Sequence, residues 1–137
     1  MRETLSRKNR ASTLQDCLDL EILDLALQSQ ACNQIHTTMT AYNASGQPAK
    51  IKDNEIFAQD RLTMVRAHMQ YILFHVAKSK IEQSEFQDPK VKQHLFLLIK
   101  IFALDTLINQ GAVVFDSGFF APGSYQNLQK AQKMCIE

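Results

Sequence analysis

Residues 89–125 read PKVKQHLFLLIKIFALDTLINQGAVVFDSGFFAPGSY, and the first part of this stretch decides the fold. Asp88 precedes it as a natural N-cap, a carboxylate able to accept the unpartnered N–H groups of a first turn. Pro89 suits the first helical position, where its missing N–H costs nothing. From Leu95 to Leu104 only Lys100 is polar, and Gly111 offers the flexible backbone that stops a helix. A helix over 89–110 is a rod of about 33 Å. Being apolar nearly all round, it belongs inside an assembly of helices.

Working upstream, Ser12 and Gln15 form a candidate capping box, with Asp16, Asp19 and Glu21 in the turns that follow. Leu14, Leu18, Leu25, Cys32, Ile35, Met39 and Tyr42 recur at helical spacing, which predicts a first helix over 13–42. Residues 44–48 break it. A second helix, capped by Asp53 or Asn54, is expected to run to about Lys80, with Phe57, Met64, Val65, Ile72, Leu73 and Val76 among its apolar positions. Downstream of Gly111, a last helix starts near 122–124 and carries Leu128, Ala131 and Cys135 on one side. All four Gly and all three Pro fall in or at the connections. The expected fold is therefore all-α, a four-helix and mainly up-down bundle over 12–137. The preceding residues 1–11 read as a basic tail or linker with little fixed structure.

Composition narrows the function only by exclusion. Apolar residues make up 45% of the 137 and charged residues 21%, the profile of a single globular domain. The formal net charge of +1 gives no electrostatic case for nucleic acid. The apolar run near residue 100 is about half the ~20 residues a membrane span needs, so the chain reads as soluble. Cys17, Cys32 and Cys135 form no CxxC pair. The first two are expected on one helix, beyond disulfide reach, and three free thiols suit a reducing compartment.

The strongest polar constellation is a stripe on the second helix: Arg61, His68, Tyr71 and His75. His68 and His75 stand about 10 Å apart along the axis, too far to share a metal, and no Glu-x-x-His tetrapeptide of a bundle di-iron site occurs. The stripe therefore reads as interhelical or inter-domain hydrogen bonding, with His68 and Tyr71 at least partly buried. On that basis His68→Ala costs about 1–3 kcal/mol. Asp105, inside an apolar region, needs a partner if buried, and Arg66 or His68 is the candidate. No nucleophile elbow and no glycine-rich phosphate loop is present, so no catalytic, cofactor-binding or metal-binding residue is assigned.

Arg66-Ala67-His68-Met69-Gln70-Tyr71 resembles the Ala-His-x-x-Tyr-type segment in the C-terminal helical domain of peroxisomal acyl-CoA oxidases. Ala103-Leu104-Asp105 and the later Gly111 are similar to the Ala-Leu-Asp…Gly pattern that ends a helix of that domain. The loop over 116–122 and the helix after it also resemble the family. The resemblance implies an oxidase that uses FAD to desaturate acyl-CoA, oxygen then reoxidising the flavin to give hydrogen peroxide. In that family the flavin domain, most acyl-CoA contacts and the catalytic glutamate lie upstream, and this sequence has no position matching the glutamate. The chain ends at Ile136-Glu137 rather than a Ser-Lys-Leu-type peroxisomal address.

The expectation is a piece of such an oxidase, inactive alone and holding no FAD of its own. It packs against upstream catalytic domains and a second subunit of a homodimer. The alternative is a non-enzymatic helical-bundle interaction module. Since three neighbours cannot cover the helix over 89–110, its leftover face with Phe115, Phe119 and Phe120 is expected as an exposed patch. Such a patch makes the isolated chain self-associate or bind a hydrophobic dye.

Overall fold

The computed structural model describes residues 2–137, and its regular structure is helical. Seven α-helices occur among the described residues: α1 (Arg2–Leu5), α2 (Leu20–Ala44), α3 (Ala49–Ile51), α4 (Ala58–Gln83), α5 (Pro89–Gln110), α6 (Ala112–Asp116) and α7 (Ser124–Ile136). The all-α expectation holds.

The helix read from its own caps is the one that matches end to end. Asp88 accepts from the Lys90 N–H at 2.9 Å, Pro89 opens α5, and the Gly111 N–H closes it on the Leu107 carbonyl at 3.1 Å. Gly111 has φ of −86°, so left-handed backbone is not what selects glycine here. A Cβ at this position would stand 2.3 Å from the Leu107 carbonyl oxygen, and that clash is the reason for glycine.

Other boundaries differ from the expectation. The first long helix begins at Leu20 rather than 13, because Asp19 caps it by accepting from Glu21 and Ile22. The capping box lies one residue later than Ser12 and Gln15: the Asp16 carboxylate accepts from the Ser12 and Thr13 N–H groups, while Thr13 Oγ1 accepts from the Asp16 N–H. Cys17 consequently lies in a separate 3-10 turn (Asp16–Leu18), not on the helix carrying Cys32. The second long helix starts at Ala58, after α3 and one π-helical turn (Lys52–Ile56). There Tyr42 donates to Asp53 at 2.9 Å, Arg61 pairs with Asp53, and Lys52 sits 4.3 Å from the Tyr42 ring centroid.

Side-chain pairs give the directions. Glu21–Lys78, Asp24–His75 and Gln28–Tyr71 set α2 antiparallel to α4. Gln70–Gln110 and the Lys92 bond to the Glu82 carbonyl do the same for α4 and α5. Asp105–Gln132 places α7 against α5. Between them lies a core built on Leu23, Leu27, Phe74, Leu104, Leu107, Val114, Phe119 and Leu128.

Residues 2–11 are not the loosely structured tail expected. Asn9 and Arg10 donate backbone bonds to the Gly118 and Phe119 carbonyls, Ala121 donates to the Ala11 carbonyl, and Ala11 and Thr4 are buried. The basic composition hid this, since the docking to 118–121 uses backbone and only Arg7 adds a side-chain bond, to Gln28. Phe119 and Phe120 are likewise buried and Phe115 half-buried, packed ring on ring with Tyr125, so the expected aromatic patch is corrected.

Two substitutions check these readings. Gly111→Ala should lower stability by about 1–3 kcal/mol in urea unfolding, whereas Gly46→Ala, facing open space, should stay within about 0.5 kcal/mol. Backbone bonds from Ser12 and then Thr13 hold the Asp16 carboxyl below its ordinary value of 3.8. A lowered folded value gives stability above the unfolded pKa that is lost as pH falls through the folded one. Asp16→Ala should cost about 1 kcal/mol at neutral pH, and the gap should close below 3.8.

Candidate functional site

The polar side chains that meet across helices lie between α2 and α4. Lys78 is only 5% exposed, and its Nζ stands 2.6 Å from Glu21 Oε1, 3.6 Å from Asp24 Oδ2 and 3.9 Å from Glu82 Oε1. One turn back, His75 brings Nδ1 to 2.9 Å from Asp24 Oδ2, the geometry of an N–H donating to a carboxylate. Gln28 donates to the Tyr71 hydroxyl at 3.4 Å and accepts from Arg7 at 2.6 Å. Tyr71, His75, Lys78 and Glu82 thus face Gln28, Asp24 and Glu21 in antiparallel order.

Burial alone pushes the Lys78 ammonium down. Its hydrogen bond to Glu21 and the charges of Asp24, Glu21 and Glu82 outweigh that, raising it above the ordinary 10.5. Burial also raises the Tyr71 hydroxyl, with the Asp24 charge acting in the same direction. Elsewhere, burial first and then the Asp16 charge push the Cys17 thiol up to about 11. These settings favour a charged lysine and protonated phenol and thiol, the states of a hydrogen-bonding network rather than of a nucleophile.

Of the expected structural residues, Tyr71 is half-buried and hydrogen-bonded. His68 is exposed and makes no hydrogen bond among the described residues; it lies at an apolar groove beside Ile35 and Met39 of α2, which offer it no polar partner. Asp105 is exposed too and accepts from Asn109 at 2.8 Å and Gln132 at 3.4 Å, not from Arg66 or His68. The Arg61–His75 stripe divides: Arg61 serves the α2–α4 turn, while Tyr71 and His75 join Lys78. Lys78, three residues beyond His75, lies outside the Arg61–His75 spacing and so gives no signal in that stripe. A polar ladder, the carboxylates Glu21 and Asp24 followed by the amide Gln28, opposite Lys78, His75 and Tyr71 was the available signal.

Among the described residues no group of three or more His, Cys, Asp or Glu could hold a metal ion. Open grooves run along α4, one lined by Asp53, Ala58, Arg61, Leu62 and Val65, another by Ile35, Met39, Met64, Val65 and His68. Arg61 is already paired with Asp53, and neither lining supplies a glycine-rich turn for a pyrophosphate. These residues do not fit a flavin dinucleotide.

A protein-family model described as acyl-CoA oxidase matches residues 19–137. The chain belongs to the acyl-CoA oxidase family. No curated protein and no solved structure matches it. The family match begins at Asp19, the N-cap of α2, and runs through α7. Within the motifs that resemble this oxidase family, Ala67, Ala103 and Leu104 are buried and Tyr71 is half-buried. His68 and Asp105 of the same motifs are exposed. No helix among the described residues is long and apolar enough to cross a membrane.

Lys78→Met should lower stability by about 1–3 kcal/mol, leaving the buried Asp24 with one partner fewer. A raised folded pKa gives stability that is present below 10.5 and lost as pH rises through the folded value, so the difference should shrink in alkali. His68→Ala should stay within about 0.5 kcal/mol in the same denaturant titration.

Proposed function

We propose that this chain is part of an FAD-dependent peroxisomal acyl-CoA oxidase of fatty-acid β-oxidation, supplying helical-domain packing and subunit contacts rather than reacting groups. The full reaction converts acyl-CoA and O2 to trans-2-enoyl-CoA and H2O2. Its chemistry needs a carboxylate at the substrate α-carbon, with flavin accepting the hydride. The family match over 19–137 carries this reading. In it, α2, α4, α5 and α7 are the mainly up-down bundle of the C-terminal domain, and flavin and base come from elsewhere in the oxidase.

Exposed apolar surface supports a packing role. Leu62 and Leu98 are each 61% exposed and Leu73 58%, with Val65, Met69, Val76, Val91 and Phe102 also open. The surplus lies on α4 as much as on α5. Single exposed leucines need no explanation, but continuous helix faces of this kind mark contact sites. In the oxidase, the upstream catalytic domains and a second subunit are the proposed cover.

The purified chain should be colourless, with no flavin absorbance after incubation with FAD, and should release no peroxide from acyl-CoA in air. A yellow protein that makes peroxide would overturn the division of labour. It should also bind a hydrophobic dye, with the signal falling in Leu62→Glu and Leu98→Glu. Coding sequence on either side provides the second check: an upstream flavin domain supports the oxidase, and isolated start and stop signals favour a non-enzymatic interaction module.

A further inference from the structure

Helix α4 is apolar on two opposite sides. Ala67, Phe74 and Ile81 recur every seven residues and are buried in this chain. Roughly half a turn away, Leu62, Val65, Met69, Ile72 and Val76 follow one another at spacings of three, four, three and four, and all five are exposed. Strict three–four alternation is the narrow seam of a coiled coil, whose knobs enter holes on one facing helix. The apolar groove of Ile35, Met39, Met64, Val65 and His68 runs beside it.

The flanking positions define the occupant. With Leu62, Met69 and Val76 as first core positions of each heptad, the seam is bordered by Arg61, His68 and His75 on one side and by Arg66, Leu73 and Lys80 on the other. No Asp or Glu occurs anywhere from 61 to 81. Arg61 and His75 are already held by Asp53 and Asp24 of this chain, so a second copy, parallel or antiparallel, would bring Arg66 and Lys80 further basic side chains from residues 61–81 of its own α4 and no carboxylate. Like charges at these positions select against self-pairing, and opposite charges select the partner. The seam itself carries no Trp or Phe, the aromatic residues typical of a face that lies on a lipid surface.

We infer that the outward face of α4 docks a single amphipathic helix from outside this chain, with aliphatic residues at three–four spacing bordered by carboxylates. The inference rests on the reading of this face as a docking surface and adds the chemistry of what covers it. Arg66 and Lys80, which form no ion pair among the described residues, are the selecting charges.

The test uses the whole chain and two labelled three-heptad peptides, both with Leu and Ile in the core positions, one flanked by Glu and the other by Lys. Fluorescence anisotropy should show the Glu peptide binding at least about tenfold tighter, with the preference shrinking as salt is raised. Met69→Glu should weaken binding at least about tenfold, and Arg66→Glu with Lys80→Glu should turn the preference toward the Lys peptide. These positions are exposed, and an unchanged helical circular dichroism signal and melting curve verify that each variant is folded. Equal binding of both peptides overturns the charge selection. So does a chain dimer in sedimentation that Met69→Glu dissolves, or binding to phosphatidylserine vesicles without binding to the Glu peptide. Binding of neither peptide, with no dye uptake, overturns the docking reading itself.

Discussion

A helix surrounded on one side by its own chain can hide only about half its circumference, and α4 exceeds that allowance. Its Ala67–Phe74–Ile81 side closes the core against α2 and α5, while its Leu62–Val76 side points outward. At roughly 25 cal/mol per Å2 of apolar surface, a row of five aliphatic side chains is a substantial driving force left unused within this chain. Everything else about α4 follows from having to hold position between two apolar contacts. Its polar residues are confined to the narrow bands between them, where Tyr71, His75 and Lys78 meet α2 and Arg66 and Lys80 remain in water.

Those bands explain why a lysine is buried beside a carboxylate. An α2–α4 contact made by Leu, Ala and Phe alone is tolerant of sliding by one helical turn. Ion pairs at Glu21–Lys78 and Asp24–His75 add a register, since a slip would leave the buried Asp24 unpaired. The Tyr42–Asp53–Arg61 contacts fix the other end of the same helix pair. The hairpin is therefore pinned at both ends.

Helix α5 was legible almost residue for residue, because its boundaries are local chemistry: Asp88, Pro89 and Gly111 each act within one turn. The start of α2 was less so, since Ser12, Thr13, Asp16 and Asp19 all make plausible caps and only the packed chain selects among them. The docking of residues 2–11 was invisible, as backbone bonds to Gly118 and Phe119 leave no trace in side-chain pattern and the Arg7–Gln28 bond joins residues of no shared periodicity. For the candidate site, Tyr71 and His75 could be read from spacing on α4, but their partners lie about fifty residues away on α2. His68 shares their spacing and not their environment. A heptad stripe is two-faced on a helix apolar on both sides, so periodicity alone could not say which face is wet.

Charge distribution supplies what periodicity lacks. Carboxylates gather at the helix starts and at the α4–α5 turn, where Glu82, Glu85 and Asp88 follow one another, and none occurs from 89 to 104 or from 61 to 81. The near-neutral total therefore conceals an α4–α5 hairpin whose outward surface is apolar and cationic. On such a surface like charges disfavour self-pairing, while the apolar stripe stays open. Under the proposed reading, helices of this acyl-CoA oxidase family member pack within a larger enzyme. The side chains of α4 say in addition what sign of charge the covering surface must bring, and that requirement holds whichever polypeptide supplies it.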